Sequence, residues 1–280
     1  MTTPRQLRPT RWRARTRTVG MLVSALLGLS TAHPALAQGF GASISPPRFE
    51  LQLKPGQTLR QVIDIQHVGL QAGRFRVYTN DWTLQADGSV AFSEALAPDS
   101  CRPWVALERR ELSVEPNARY RYRFELSAPT DAAVRECRFA IMVEGVDPAR
   151  VAQANLNIPV GGRIAVIVYA AIGGAAPRLE VTAHRVAQVN GRALPVLEVR
   201  NTGNAHGRME GFLNGADAAG QDFELSPSDL PILPGASRTV PLMPVTEERK
   251  PLPPIQYPFK VKGTLEWGAQ RVPLEHTFTQ

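Results

Sequence analysis

Cysteine is nearly absent from this chain: two residues, Cys101 and Cys137, among 280. Histidine is scarce, with five copies, and one of them, His33, falls in the N-terminal stretch. His67, His184, His206 and His276 are scattered and mostly beside turns. The sequence has no H-x-E or H-E-x-x-H pattern and no G-x-S-x-G elbow. Gly161-Gly162 and Gly173-Gly174 lack the spacing of a phosphate loop. Asp64, Asp81 and Glu108 are acids that nothing in the sequence pairs. No reaction-specific constellation emerges, so the expectation is a protein that is not an enzyme and takes no metal or cofactor. After the first 37 residues no apolar run reaches membrane-spanning length; Val166 to Ile172 is strongly apolar but reads as a buried strand.

The N-terminal stretch has no acidic residue. Six arginines (Arg5, Arg8, Arg11, Arg13, Arg15, Arg17) precede an apolar run from Val19 to about Leu29, and Ala35-Leu36-Ala37 supplies a small-x-small cleavage pattern. Residues 1–37 are therefore expected to be a secretory signal peptide cut before Gln38, which directs the chain to the periplasm. The arginines are spaced rather than paired, which favours the general export route. The whole chain has 32 basic and 25 acidic residues, net +7; without the leader 26 face 25, net +1. The high overall charge thus belongs to the export signal and gives no case for nucleic-acid binding. In an exported chain an even pair of cysteines suggests one disulfide, Cys101–Cys137, and a loop of that length is credited with about 4 kcal/mol in the chain-entropy view.

The mature part reads as short strands between regular turn signals. Phe49, Leu51 and Leu53 alternate up to Lys54-Pro55-Gly56, and Ala86-Asp87-Gly88 marks a hairpin. Between Arg119 and Leu126, Tyr120, Tyr122, Phe124 and Leu126 share one face, and Arg119, Arg121, Arg123 and Glu125 the other. Aromatic and basic alternation can mark a nucleic-acid surface, but in an exported chain a sheet with an aromatic core face and a solvated outer face is the better reading. Cys137, Phe139, Ile141 and Val143 alternate next, and Gly145 to Arg150 reads as a loop. Further on, Asn190-Gly191 is a hairpin turn, Asp217 to Gly220 a turn, and Trp267-Gly268 joins a last hairpin. No segment carries a sustained helical period. The fold class expected is all-β: two immunoglobulin-like β-sandwich domains in tandem, residues 38–172 and 173–280.

The segment Asn155 to Ala171 stands out. Leu156, Ile158 and Val160 point one way, Asn157 and Pro159 the other. Pro159 cannot donate to a ladder, so this strand is expected to lie at an edge or to end a sheet. An apolar row on an edge strand is an aggregation hazard unless it has a partner.

The order of these elements resembles the periplasmic pilus-assembly chaperone family, the PapD-like proteins. The resemblance is carried by Ser45-Pro46-Pro47-Arg48, Tyr78 to Trp82 (YTNDW), Val114-Glu115-Pro116, Arg135-Glu136 before Cys137, and Leu156 to Tyr169. It implies a chaperone that caps pilin-like subunits during fimbrial assembly by donating an edge strand. The donor row would be Leu156, Ile158 and Val160. The implied partners are pilin-like subunits and an outer-membrane usher. The family anchors the subunit's terminal carboxylate with two basic residues. Arg48 matches one; the other is a Lys in R-I-K, where this chain has Arg163-Ile164-Ala165. Arg163, about 7 Å away on the same strand face, is the candidate substitute for that Lys. The alternative is an exported structural or adhesive protein built from the same sandwiches, with the row buried in its own core.

Overall fold

The computed structural model describes residues 41–147, 149–153, 156–246 and 254–280, and gives the backbone alone for 149–153 and 156–160. The expected leader, 1–37, lies outside the described residues, as do the side chains of Leu156, Ile158 and Val160. Gln38–Gln280 packs as one compact unit. The regular structure of the described residues is strand, as the periodicity predicts, apart from one 3-10 turn at Arg102–Trp104.

The first set of strands is β1 (Ala42–Ser45), β2 (Arg48–Leu53), β3 (Thr58–His67), β4 (Gly73–Leu84), β5 (Val90–Ser93), β6 (Val105–Leu107), β7 (Glu111–Val114), β8 (Arg119–Ser127), β9 (Glu136–Gly145), β10 (Ala149–Gln153), β11 (Leu156–Val160) and β12 (Arg163–Ile172). One sheet runs β1-β3-β8-β6; the other runs β2-β12-β9-β4-β5, with β7 also on β4. The chain crosses between them at once: β1 pairs with β3, and β2, after Pro46-Pro47, pairs in parallel with β12. Alternation then fills the space between the sheets. Ile63, Ile65, Tyr122, Phe124 and Leu126 meet Phe139, Ile141, Val143, Val166, Val168 and Ile172, all essentially inaccessible to water. The arginines of β8 stay outside, where Arg119 pairs with Asp64 and Arg123 approaches Glu108, so the alternation is that of a half-solvated sheet. Burial pushes the Tyr122 hydroxyl up to about 12, and it donates to the Arg109 carbonyl at 2.5 Å. The Cys101–Cys137 disulfide is formed inside this core.

The second set is β13 (Leu179–Val189), β14 (Arg192–Asn201), β15 (Glu210–Ala216), β16 (Asp222–Pro227), β17 (Ser237–Pro244), β18 (Phe259–Trp267) and β19 (Gln270–Phe278). They form one seven-stranded path, β13-β14-β17-β16-β15-β18-β19, curled around its own core of Leu197, Val199, Leu213, Leu242, Phe259, Val261 and Phe278 among others. Asn190 and Gly191 both take positive φ (51° and 76°), which is what a tight two-residue hairpin with the right twist requires. The two ends of the path meet at a seam where the His184 ring of β13 stacks on His276 of β19, centroids 4.3 Å apart, with Phe278 beneath.

Two predictions follow from these cores. Replacing Cys101 and Cys137 together by alanine should cost about 2–4 kcal/mol of stability in denaturant titrations. At the seam, burial and then the neighbouring His276 ring hold the His184 imidazole below its ordinary 6.5. A base depressed in the fold is protonated first in the unfolded chain. Its contribution is therefore complete above pH 6.5 and is lost as pH falls through the lower folded value. The denaturant midpoint should drop on acidification below that pH, and the drop should shrink in His184→Phe.

Candidate functional site

Strand β12 has two unlike faces because its neighbours differ on each side. Val166, Val168, Ala170 and Ile172 enter the first core, while Arg163, Ala165, Ile167 and Tyr169 lie on the outer face of the same sheet. Register sorts that outer face into rows. Arg76, Glu144 and Arg163 form a charged row; Tyr78, Met142 and Ala165 an apolar one; then Asn80, Ala140, Ile167 and Arg48; then Arg138, Tyr169 and Glu50, with Trp82 packed on the Tyr169 ring. Met142 and Ala140 are buried although they face away from the core.

The two arginines expected to anchor a carboxylate share this face but do not converge. Ile167 is the partner of Arg48, so Arg163 lies four residues away along β12, about 13 Å. Arg163 stands with Glu144 and the Tyr78 hydroxyl, whose acidity is weakened chiefly by burial and then by Glu144. Arg48 contacts Glu50 at 2.9 Å, with both side chains close to half exposed. Between them lie Ala165 and Ile167, both apolar.

At the other end of the face the first core meets the second through a polar joint that sequence reading missed. His206 stacks on Tyr169 at 3.8 Å, and its Nδ1 lies 2.5 Å from Glu136 Oε2, which also accepts the His206 backbone N–H at 3.0 Å. The ring's Nε2 faces Glu50 at 3.6 Å, and Arg208 reaches Glu50 at 3.5 Å and the Tyr169 hydroxyl at 3.4 Å. Burial raises the Tyr169 hydroxyl. Glu136 N–H donates to the Asn204 carbonyl, and Asn204 Nδ2 donates to the Val134 carbonyl, so backbone bonds stitch the same joint. The partners are 70 residues apart in sequence, and no local pattern links them. Glu136 is 1% exposed, so its removal strands buried donors. Glu136→Ala should cost about 3 kcal/mol; calorimetry should show one melting transition for the unaltered chain and two for the variant.

The third component is the ribbon β10–β11. The β9–β12 ladder ends at Glu144 and Arg163, and one bond, Gly145 N–H to the Gly162 carbonyl at 3.0 Å, continues it. Beyond Gly161-Gly162 the chain pairs only as β10 with β11, from Ala149 opposite Val160 to Gln153 opposite Leu156. β11 and β12 are separate strands, broken at the glycine pair. One expectation changes here: the stretch Gly145 to Arg150, expected as a loop, begins as the last residue of β9 and ends in the first two residues of β10. β12 is interior, held by β2 and β9, while among the described residues β11 has β10 as its one paired strand. Leu156, Ile158 and Val160 thus sit on a strand with an edge about 17 Å long that no described strand covers.

Among the described residues no group of three or more His, Cys, Asp or Glu could hold a metal ion, and no helix is long and apolar enough to cross a membrane. No protein-family model matches the sequence, and no curated protein matches it. Solved structures of similar arrangement include the class 5 fimbriae chaperone CfaA, 11% identical with a TM-score of 0.44, covering 85% of this chain and 99% of that one. The E. coli chaperone DraB is 12% identical with a TM-score of 0.44, covering 85% and 98%. A complex of the Salmonella enterica SafA pilin with the SafB chaperone gives 13% identity and a TM-score of 0.42, covering 85% and 96%. At this level they are distant likenesses.

Proposed function

We propose that this chain is an exported, divergent chaperone of the PapD-like kind, working in the periplasm as two domains, 38–172 and 173–280, that lends β11 to a pilin-like subunit. The observation that carries the reading is the edge of β11 that no described strand covers, on a strand whose alternate residues are Leu156, Ile158 and Val160. A subunit that lacks one strand of its own sandwich needs both backbone partners and apolar side chains, and an edge of this composition supplies both. Arg48, on the adjoining face, is the residue to meet a terminal carboxylate, because guanidinium binds carboxylate in a bidentate fork. It must exchange its present contact with Glu50 to do so. Arg163 is the secondary candidate. The usher would act on the loaded complex.

The reading is tested by Ile158→Asp. In periplasmic extracts of the producing cell, tagged wild-type protein should retain fimbrial subunits identifiable by mass spectrometry, and the variant should lose them with an unchanged melting temperature. A variant that unfolds instead, by the several kcal/mol of a buried unpaired charge, would place the row inside the protein's own core and favour the structural or adhesive alternative. Undiminished capture would also end the donor-strand reading.

A further inference from the structure

In the ribbon β10–β11 the described pairs run from Gln153 with Leu156 to Ala149 with Val160. In an antiparallel ladder, pairs that exchange both hydrogen bonds alternate with pairs that exchange none. Proline lacks an N–H and fits a paired strand only where its nitrogen points out of the ladder. Arg150 with Pro159 is therefore a pair that exchanges none, as is Ala152 with Asn157, while Gln153 with Leu156, Val151 with Ile158 and Ala149 with Val160 bond across the ribbon. The backbone groups of Asn157 and Pro159 therefore face away from β10, toward the edge that no described strand covers. The free edge of β11 then has carbonyl acceptors at Asn157 and Pro159 and an N–H donor at Asn157 alone.

We propose that Pro159 determines the specificity of this edge: it admits a strand of another protein and rejects a second copy of this chain. The identity of the admitted strand rests on the donor-strand reading above; the rejection of a second copy does not. Two copies of β11 paired antiparallel about Ile158 would set Asn157 of each against Pro159 of the other. Such a pairing has four hydrogen-bond positions, and the two absent prolyl N–H groups leave half of them unfilled. A foreign strand meets only one proline. It keeps every bond when its own end, or a bulge, falls opposite Pro159, so the proline also fixes the register in which the strand docks. The occupant expected is an extended segment with alternating apolar residues whose pairing terminates at Pro159.

Sedimentation velocity on the full mature chain tests this without any client. Wild type should stay monomeric across a concentration series. Pro159→Val, which restores both missing donors in a pair of copies, should self-associate roughly 10- to 100-fold more tightly, as two net hydrogen bonds predict. Adding Asn157→Pro to that variant removes one edge donor from each copy, which again leaves two of the four positions unfilled, and should return it to monomer. Circular dichroism and melting establish that the variants fold, and Pro159→Thr takes the place of the valine variant should that one misfold. A wild type that associates as tightly as Pro159→Val, or an association that Asn157→Pro leaves intact, overturns the proposal. If Pro159→Val dimerises while no subunit is ever captured, the guard stands and the donor-strand reading falls. Capture by a chain whose Pro159→Val variant stays monomeric gives the reverse.

Discussion

Strand β11 can keep an edge free only because β12 has none to spare. A buried sheet leaves almost no backbone N–H or C=O unpaired, and β12 meets that demand on both sides, with β2 in parallel and β9 antiparallel. Its inward face is saturated by Val166, Val168 and Ile172, and its outward face carries Tyr169 into the joint with the second core. Held this firmly, β12 acts as a fixed base. The chain entering it through Gly161-Gly162 is released from the sheet at that point and, among the described residues, pairs with β10 alone. Glycine suits the break, since it has no side chain to pack and weakens a strand interior.

Local pattern made the sandwich legible. The alternation of Tyr120, Tyr122, Phe124 and Leu126 with arginines and a glutamate was enough to place β8 half-buried, and Asn190-Gly191 was enough to place the hairpin of β13 and β14. Both depend on residues within a few positions of one another. The joint and the seam depend on pairs far apart in the chain: Glu136 with His206, His184 with His276. Histidines that look scattered in sequence become partners only when two edges meet, and no periodicity encodes that. Strand β10 escaped for a different reason. Ala149–Gln153 is too mixed in polarity to signal a half-buried strand, and it is a strand because β11 folds back beside it.

The outer face of the sheet explains why the basic anchor reads as incomplete. A lysine at Ala165 would stand one row from Arg48; Arg163 stands two rows away, with Glu144 beside it. A carboxylate brought to this face meets one guanidinium already in contact with Glu50 and, next to it, the apolar Ile167 and Ala165. Desolvating an anion against apolar side chains is unfavourable unless charge-assisted bonds offset it. On the proposed reading, the chemistry of the face weights recognition of a subunit toward apolar contact and backbone pairing, and away from electrostatic capture.

That weighting carries a hazard which the ribbon's own dimensions limit. An uncovered strand with an apolar row invites pairing with any exposed edge, and long flat edges invite it most. β11 is five residues long, and Pro159 withdraws one of its outward donors. Both features shorten the set of registers in which a strand can bind well, so the edge is left open to few partners. The same two features tie its affinity to whatever apolar fit the alternate side chains provide. On the proposal above, the apolar row holds the foreign strand and the proline guards against copies of the chain. The two have to occur on the same strand, and here they alternate along it.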